Sequence, residues 1–194
     1  ARVSEDENYL FISSSKSSSG NDLRIKNLTT NSPFVTVAEG YENRWSVIDS
    51  DHKVILLLTN EGASRYRVMR IEFGKPEKKV LIPEREETLK GMIRAGNKLI
   101  GHYMKDASSK LFVYNLNGSF ENEIDLPGYC TVTTLQGDKN DSLFFFTVTG
   151  YTQPGTIYKY NLINGIQEIY YRPEIPEFNP EEYETSQVFY ESKD

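Results

Sequence analysis

Two histidines, one cysteine and a run of serines are the residues whose types could do chemistry in this 194-residue chain. His52 stands in the polar turn "DSDHK", a setting that suits a solvated loop residue better than a general base. His102 lies in "LIGHYM", an expected strand, where alternation gives it one sheet face and packing partners. Cys130, in "PGYCTV", has no histidine close in sequence, and a lone thiol among apolar residues behaves as a small hydrophobe. The serines between Ser13 and Ser19 form no G-x-S-x-G elbow and read as a strand end and a loop. Two histidines and one cysteine are too few for the usual nitrogen and sulfur metal cage, and Asp49, Asp51 and Asp138 form no oxygen ligand set. "SEDE" (Ser4–Glu7) is a charged turn, and "GNDLRIK" lacks the spacing and the Lys-Ser/Thr ending of a phosphate loop. The expectation is a chain with no catalytic residues of its own, no metal and no cofactor.

Composition narrows the partners. The formal net charge is −6 with no Lys/Arg cluster, which argues against nucleic acid and against anionic membranes. The longest apolar run, Val54–Leu58, is far too short to span a bilayer. The N-terminal "ARVSEDENYL" carries no secretory signal, and a single cysteine excludes an intramolecular disulfide. Both leave cytoplasm and periplasm open. With 13 Tyr and 10 Phe against 38% hydrophobic residues, the chain suits sheets that bury one face and wet the other.

What must position these residues is a repeat. "VSEDENYLFIS" from Val3, "VIDSDHKVILLLT" from Val47, "MIRAGNKLIGHYM" from Met92 and "LQGDKNDSLFFFT" from Leu135 share one pattern. Each has an apolar approach, a polar turn and a strongly apolar run. The anchors Tyr9, Val54, Leu99 and Leu143 recur at about 45-residue intervals, and Leu28, Ile71, Leu116 and Leu162 form a second series at nearly the same period. A closing apolar stretch follows each time: Phe34–Ala38, Lys79–Pro83, Phe120–Leu126 and Ile166–Tyr171. Turn signals separate them, among them Lys16–Asn21, Asn117-Gly118 and Asn164-Gly165. Each unit reads as four strands, and tandem four-stranded antiparallel units are propeller blades, here at about 1–39, 44–83, 89–126 and 130–172. A single β-sandwich also has short strands at such spacing, but it does not predict landmarks recurring four times.

After the fourth unit the character changes. "RPEIPEFNPEEYE" (Arg172–Glu184) is rich in proline and glutamate and reads as an extended linker. In "SQVFYESKD", Val188, Phe189 and Tyr190 have strand composition, and Ser192-Lys193-Asp194 reads as the start of a turn. Residues 173–194 are thus expected to lead, as linker and strand, into a further domain.

Several stretches are more specific than composition. "TVTGYTQPGTIYKYNL" (Thr147–Leu162) and "FNPEEYETSQVFYESKD" (Phe178–Asp194) resemble the prolyl oligopeptidase family of serine peptidases. "KVLIPERE" (Lys79–Glu86) and "LTNEGASRYRVMRIEF" (Leu58–Phe73) are similar to further stretches of that family. The resemblance implies a seven-bladed propeller, of which these would be the last four blades. It also implies an α/β-hydrolase domain that supplies a Ser, Asp and His triad outside this chain and cleaves short peptides after proline. The propeller's implied role is to cover the catalytic cleft and limit substrate size. Proline-containing peptides and the chain's own hydrolase domain are the implied partners. The family's substrate-facing propeller loop aligns with Ser13–Asp22, which puts Ser15, Lys16 and Ser18 toward substrate; Ser15 and Ser18 stand where some members carry an Arg and a Cys.

Two readings of function stay open on the sequence. One is a non-catalytic propeller segment of such a peptidase, inactive alone and prone to pair as a homodimer through apolar faces meant for neighbouring blades. The other is a stand-alone β-propeller module that binds a protein partner, since fold does not decide function.

Overall fold

The computed structural model describes residues 1–75, 77–177, 179 and 182–191, and over these the chain is all-β. Sixteen strands form four antiparallel four-stranded sheets, each made from consecutive strands in sequence order. The first holds β1 (Arg2–Val3), β2 (Tyr9–Ser14), β3 (Asp22–Asn27) and β4 (Val35–Ala38). The second holds β5 (Trp45–Asp51), β6 (Val54–Thr59), β7 (Arg67–Glu72) and β8 (Lys78–Ile82). The third holds β9 (Thr88–Ala95), β10 (Lys98–Lys105), β11 (Ser108–Asn115) and β12 (Phe120–Ile124). The fourth holds β13 (Thr131–Gly137), β14 (Leu143–Thr149), β15 (Thr156–Asn161) and β16 (Ile166–Tyr171). Simple up-and-down order with short turns is what blade-like units require.

All four anchors lie on the second strand of their sheet, but one is out of register. Tyr9, Val54 and Leu143 open their strands and pair with Asn27, Glu72 and Asn161, whereas the residue that pairs with Asn115 at that place is Lys98, not Leu99. Lys98 escapes an apolar pattern because its ammonium is bound at the sheet's end by Asn115 Oδ1, 2.9 Å away, and by Glu121. The second series needs the same correction in one sheet. Leu28 and Leu162 follow the third strand and donate their amides to Asn8 O and Ser142 O. Phe73, not Ile71, does this in the second sheet, through a 2.7 Å bond to Lys53 O. Ile71 is interior to β7 and sits two residues before that position.

The turns form from the residues that favour them. Asn117 Oδ1 accepts the amide of Ser119, and Gly118 holds φ +87 with its Cα pressed toward Leu81 O, where any Cβ would lie 2.2 Å from that oxygen. Asn164 Oδ1 accepts the Ile166 amide in the same way.

The chain divides into two compact units: residues 1–92 with 117–119, and residues 93–116 with 120–194. In the first, Tyr9, Phe11, Leu23 and Ile25 pack on Trp45, Ile55, Leu57, Met69 and Ile71. In the second, Ile100, Leu111 and Val113 pack on Val132, Phe144, Phe146, Val148 and Tyr158. Alternation explains this: β14 runs half-buried, buried, half-buried, so Phe144, Phe146 and Val148 share the covered face and Leu143, Phe145 and Thr147 the other. Each fully covered Phe or Leu contributes roughly 1.5–3 kcal/mol.

Among the described residues the tail adds no strand to the four sheets. Val188, Phe189 and Tyr190 belong to no ladder among the described residues, and they are 76, 74 and 88% exposed. The turn read at Ser192–Asp194 lies outside the described residues.

Candidate functional site

The loop holding Ser15, Lys16 and Ser18 joins β2 to β3, and all three side chains are exposed. The loop is held from beneath. Gly20 is buried so close to the chain ahead of β5 that a Cβ would lie 2.4 Å from Asn43 O, so only glycine fits. Asn21 then stitches the two sheets together: its amide donates to Asn43 O, its Nδ2 to Trp45 O, and its Oδ1 accepts the Trp45 amide at 2.8 Å. Asp22, buried beside it, accepts the Gly40 amide at 2.8 Å. On the solvent side Lys16 Nζ lies 4.5 Å from the centre of the Tyr41 ring, and Arg44 donates to Ser18 O at 3.0 Å. Anchored below and cationic above, the loop presents hydroxyls and positive charge without a carboxylate of its own.

A cavity of about 490 Å³ opens in the second unit, between the turn at Asp106-Ala107, the segment 129–131, the end of β14 and the tail at 185–188. Gln187 Nε2 donates to Asp106 O across it, and the hydroxyls of Thr152 and Thr185 approach to 3.4 Å. Tyr151, at its rim, is 95% exposed. The cavity is lined mainly by hydroxyls, backbone and aromatic rings, with Asp106 among its lining residues.

Of the residues first considered for chemistry, none assembles into a catalytic group. His52 is a solvated turn residue with φ +51, 3.7 Å from Asp51. Cys130 is buried and free, and burial pushes its thiol pKa up, away from the reactive thiolate. His102 does meet a serine: its Nε2 lies 2.9 Å from Ser109 Oγ, a contact with no sequence signature because the two stand on adjacent strands, at a diagonal. Ser109 Oγ also accepts the Val132 amide at 2.9 Å, and the Ser109 amide donates to Cys130 O. With Ser109 only 5% exposed, no substrate carbonyl can approach that oxygen. The pair ties the third sheet to the first strand of the fourth. Among the described residues no group of three His, Cys, Asp or Glu could hold a metal ion.

Four sheets of four antiparallel strands, each in sequence order, define a β-propeller domain. The family model for the N-terminal β-propeller domain of prolyl oligopeptidase matches residues 1–173, and the chain belongs to that family. It is 34% identical to the prolyl endopeptidase of Elizabethkingia miricola over 99% of this chain, and 33% identical to that of Elizabethkingia meningoseptica. A solved prolyl endopeptidase, from work on inter-domain dynamics in catalysis and specificity, superposes with a TM-score of 0.90 at 31% identity over 98% of this chain. Prolyl oligopeptidase B from Galerina marginata, at 24% identity and a TM-score of 0.88, shares the fold. The chain spans 27 to 28% of the length of these first two relatives.

Proposed function

We propose that the chain is the non-catalytic propeller part of a serine peptidase that cleaves short peptides after proline. The observation that carries this reading is the family match over residues 1–173, with prolyl endopeptidases as the relatives that cover nearly all of the chain. In this reading the triad comes from an α/β-hydrolase domain, and the propeller covers the cleft so that short or unfolded peptides enter and folded proteins do not. Supporting it, the loop carrying Ser15, Lys16 and Ser18 is exposed yet fixed at its base by Gly20 and Asn21, as a wall facing a substrate should be. The tail at 185–188, lying across the second unit's cavity, would then be the strand of chain that leaves for the hydrolase domain.

The purified 194-residue chain is expected to show no turnover of a chromogenic Gly-Pro amide. The same chain joined to the hydrolase domain encoded beyond Asp194 should turn it over and should spare a folded protein containing the same sequence. Turnover by the short chain that survives repeated purification, or a gene that ends without a G-x-S-x-G elbow, would overturn the assignment.

A further inference from the structure

A second cavity, of about 270 Å³, lies in the first unit between the outer strands of its two sheets, β4 and β8. Its walls are apolar. Ile25 and Ile71 belong to the buried core, and Val37 and Phe73 pack against that core from the sides. Val35, which pairs with Ile25 across β3 and β4 and is 37% exposed, stands at the mouth. The Phe73 amide donates to Lys53 O at 2.7 Å, which fixes that wall to the turn before β6.

The polar lining is Thr36, Glu72, Lys75 and Lys78. Glu72 and Lys75 satisfy each other at 2.8 Å, and the nearby Glu77 pairs with Lys79 at 3.4 Å. Lys78 is half-buried, and among the described residues its ammonium is in no ion pair. It lies instead 4.4 Å from the centre of the ring of Trp45, itself only 4% exposed. A ring face attracts an ammonium, but a carboxylate also accepts its hydrogen bonds, so Lys78 is the group here with binding capacity to spare. Two ammoniums against one carboxylate leave the cavity net positive.

We propose that this cavity binds a medium-chain fatty acid, its tail among Ile25, Val37, Ile71 and Phe73 and its carboxylate on Lys78. A cavity of about 150 Å³ takes the six carbons of benzene, so this one has room for roughly ten heavy atoms, the size of octanoate. A peptide end suits it less. Each peptide amide buried here would need a partner, and apart from Thr36 the polar side chains besides Lys78 are engaged with one another. The site uses only residues of the first unit and stands apart from the peptidase reading.

Trp45 is the chain's single tryptophan and touches Lys78, so its emission reports a carboxylate that draws the ammonium away. The test is a titration of the 194-residue chain with sodium octanoate, read by that emission and by calorimetry. Octanoate should bind saturably, and octanol, acetate and acetyl-Val-Leu with a free carboxylate should each bind at least about tenfold more weakly. Hexanoate, two methylenes shorter, should bind about tenfold more weakly than octanoate. By calorimetry, Lys78→Met should make octanoate and octanol bind alike, Lys78→Arg should keep the preference for the acid, and Val37→Phe should block both by filling the cavity. No saturable binding of octanoate, octanol or the peptide binding as tightly as octanoate, or a preference for the acid that survives in Lys78→Met would overturn the proposal. The comparison of acid, alcohol and peptide uses the unaltered chain, so it decides the matter even if a variant fails to fold.

Discussion

Gly20 and Asn21 show how single residues set the geometry of this chain. The approach of Gly20 to the Asn43 backbone leaves no room for a methyl group, because the obstructing atoms are main chain and cannot rotate away. Gly20→Ala is therefore expected to cost about 1–3 kcal/mol, read as a lower urea midpoint with an unchanged slope. Cys130 makes a different prediction. Burial raises its pKa, so the folded state holds the thiol proton more tightly than the unfolded one. The resulting stability is fully present below the unfolded thiol pKa, near pH 8.5, and is lost as pH rises through the folded value. Cys130→Ser should remove that alkaline loss, measured as the dependence of the urea midpoint on pH between 8 and 10. At pH 8 iodoacetamide should label the native thiol at least about tenfold more slowly than the urea-unfolded one.

Strands are positioned by polar stitches as much as by the apolar faces. Ser109, at the start of β11, satisfies the Val132 amide on β13 while meeting His102 on β10, so one hydroxyl serves three strands. Ser109→Ala leaves that amide buried without an acceptor, and a loss of about 1–3 kcal/mol in urea unfolding is the expected result. Ser109→Thr keeps the hydroxyl and should recover part of the loss. Asn21 does the same work between the first two sheets with an amide side chain, which offers both a donor and an acceptor to Trp45. Equivalent jobs are done by different residue types, so a search for a repeated polar residue in the sequence does not find them.

At the scale of the whole molecule the open question is what covers its outer apolar surface. On β16, Ile166, Ile169, Tyr170 and Tyr171 are 51, 49, 65 and 56% exposed, and Tyr170 meets Phe145 edge to face at 5.2 Å between centroids. An outermost strand with apolar side chains is a template for a second copy unless charge or proline blunts it, and β16 has only Glu168 as a charge. Reversible pairing at micromolar concentration is expected in sedimentation velocity, weakened by Ile169→Lys. A clean monomer that binds no hydrophobic dye would rule the pairing out.

The repeat was legible because a four-stranded antiparallel unit needs the same alternation of apolar run and polar turn each time, and that leaves a period in the residues. The resemblance in Thr147–Leu162 and Lys79–Glu86 was legible for the same local reason, since contiguous strands and turns carry their own sequence. Register was not. Lys98 opens its strand because Asn115 and Glu121 lie across the sheet to bind it, which no neighbour in sequence announces. Nor were the Ser109–His102 contact and the squeeze on Gly20, each set by atoms distant in sequence. Local periodicity fixes which segments become strands and which face is apolar; which polar group meets which is decided only when sheets stack, because hydrogen bonds depend on distances of a few tenths of an ångström that the order of residues does not encode.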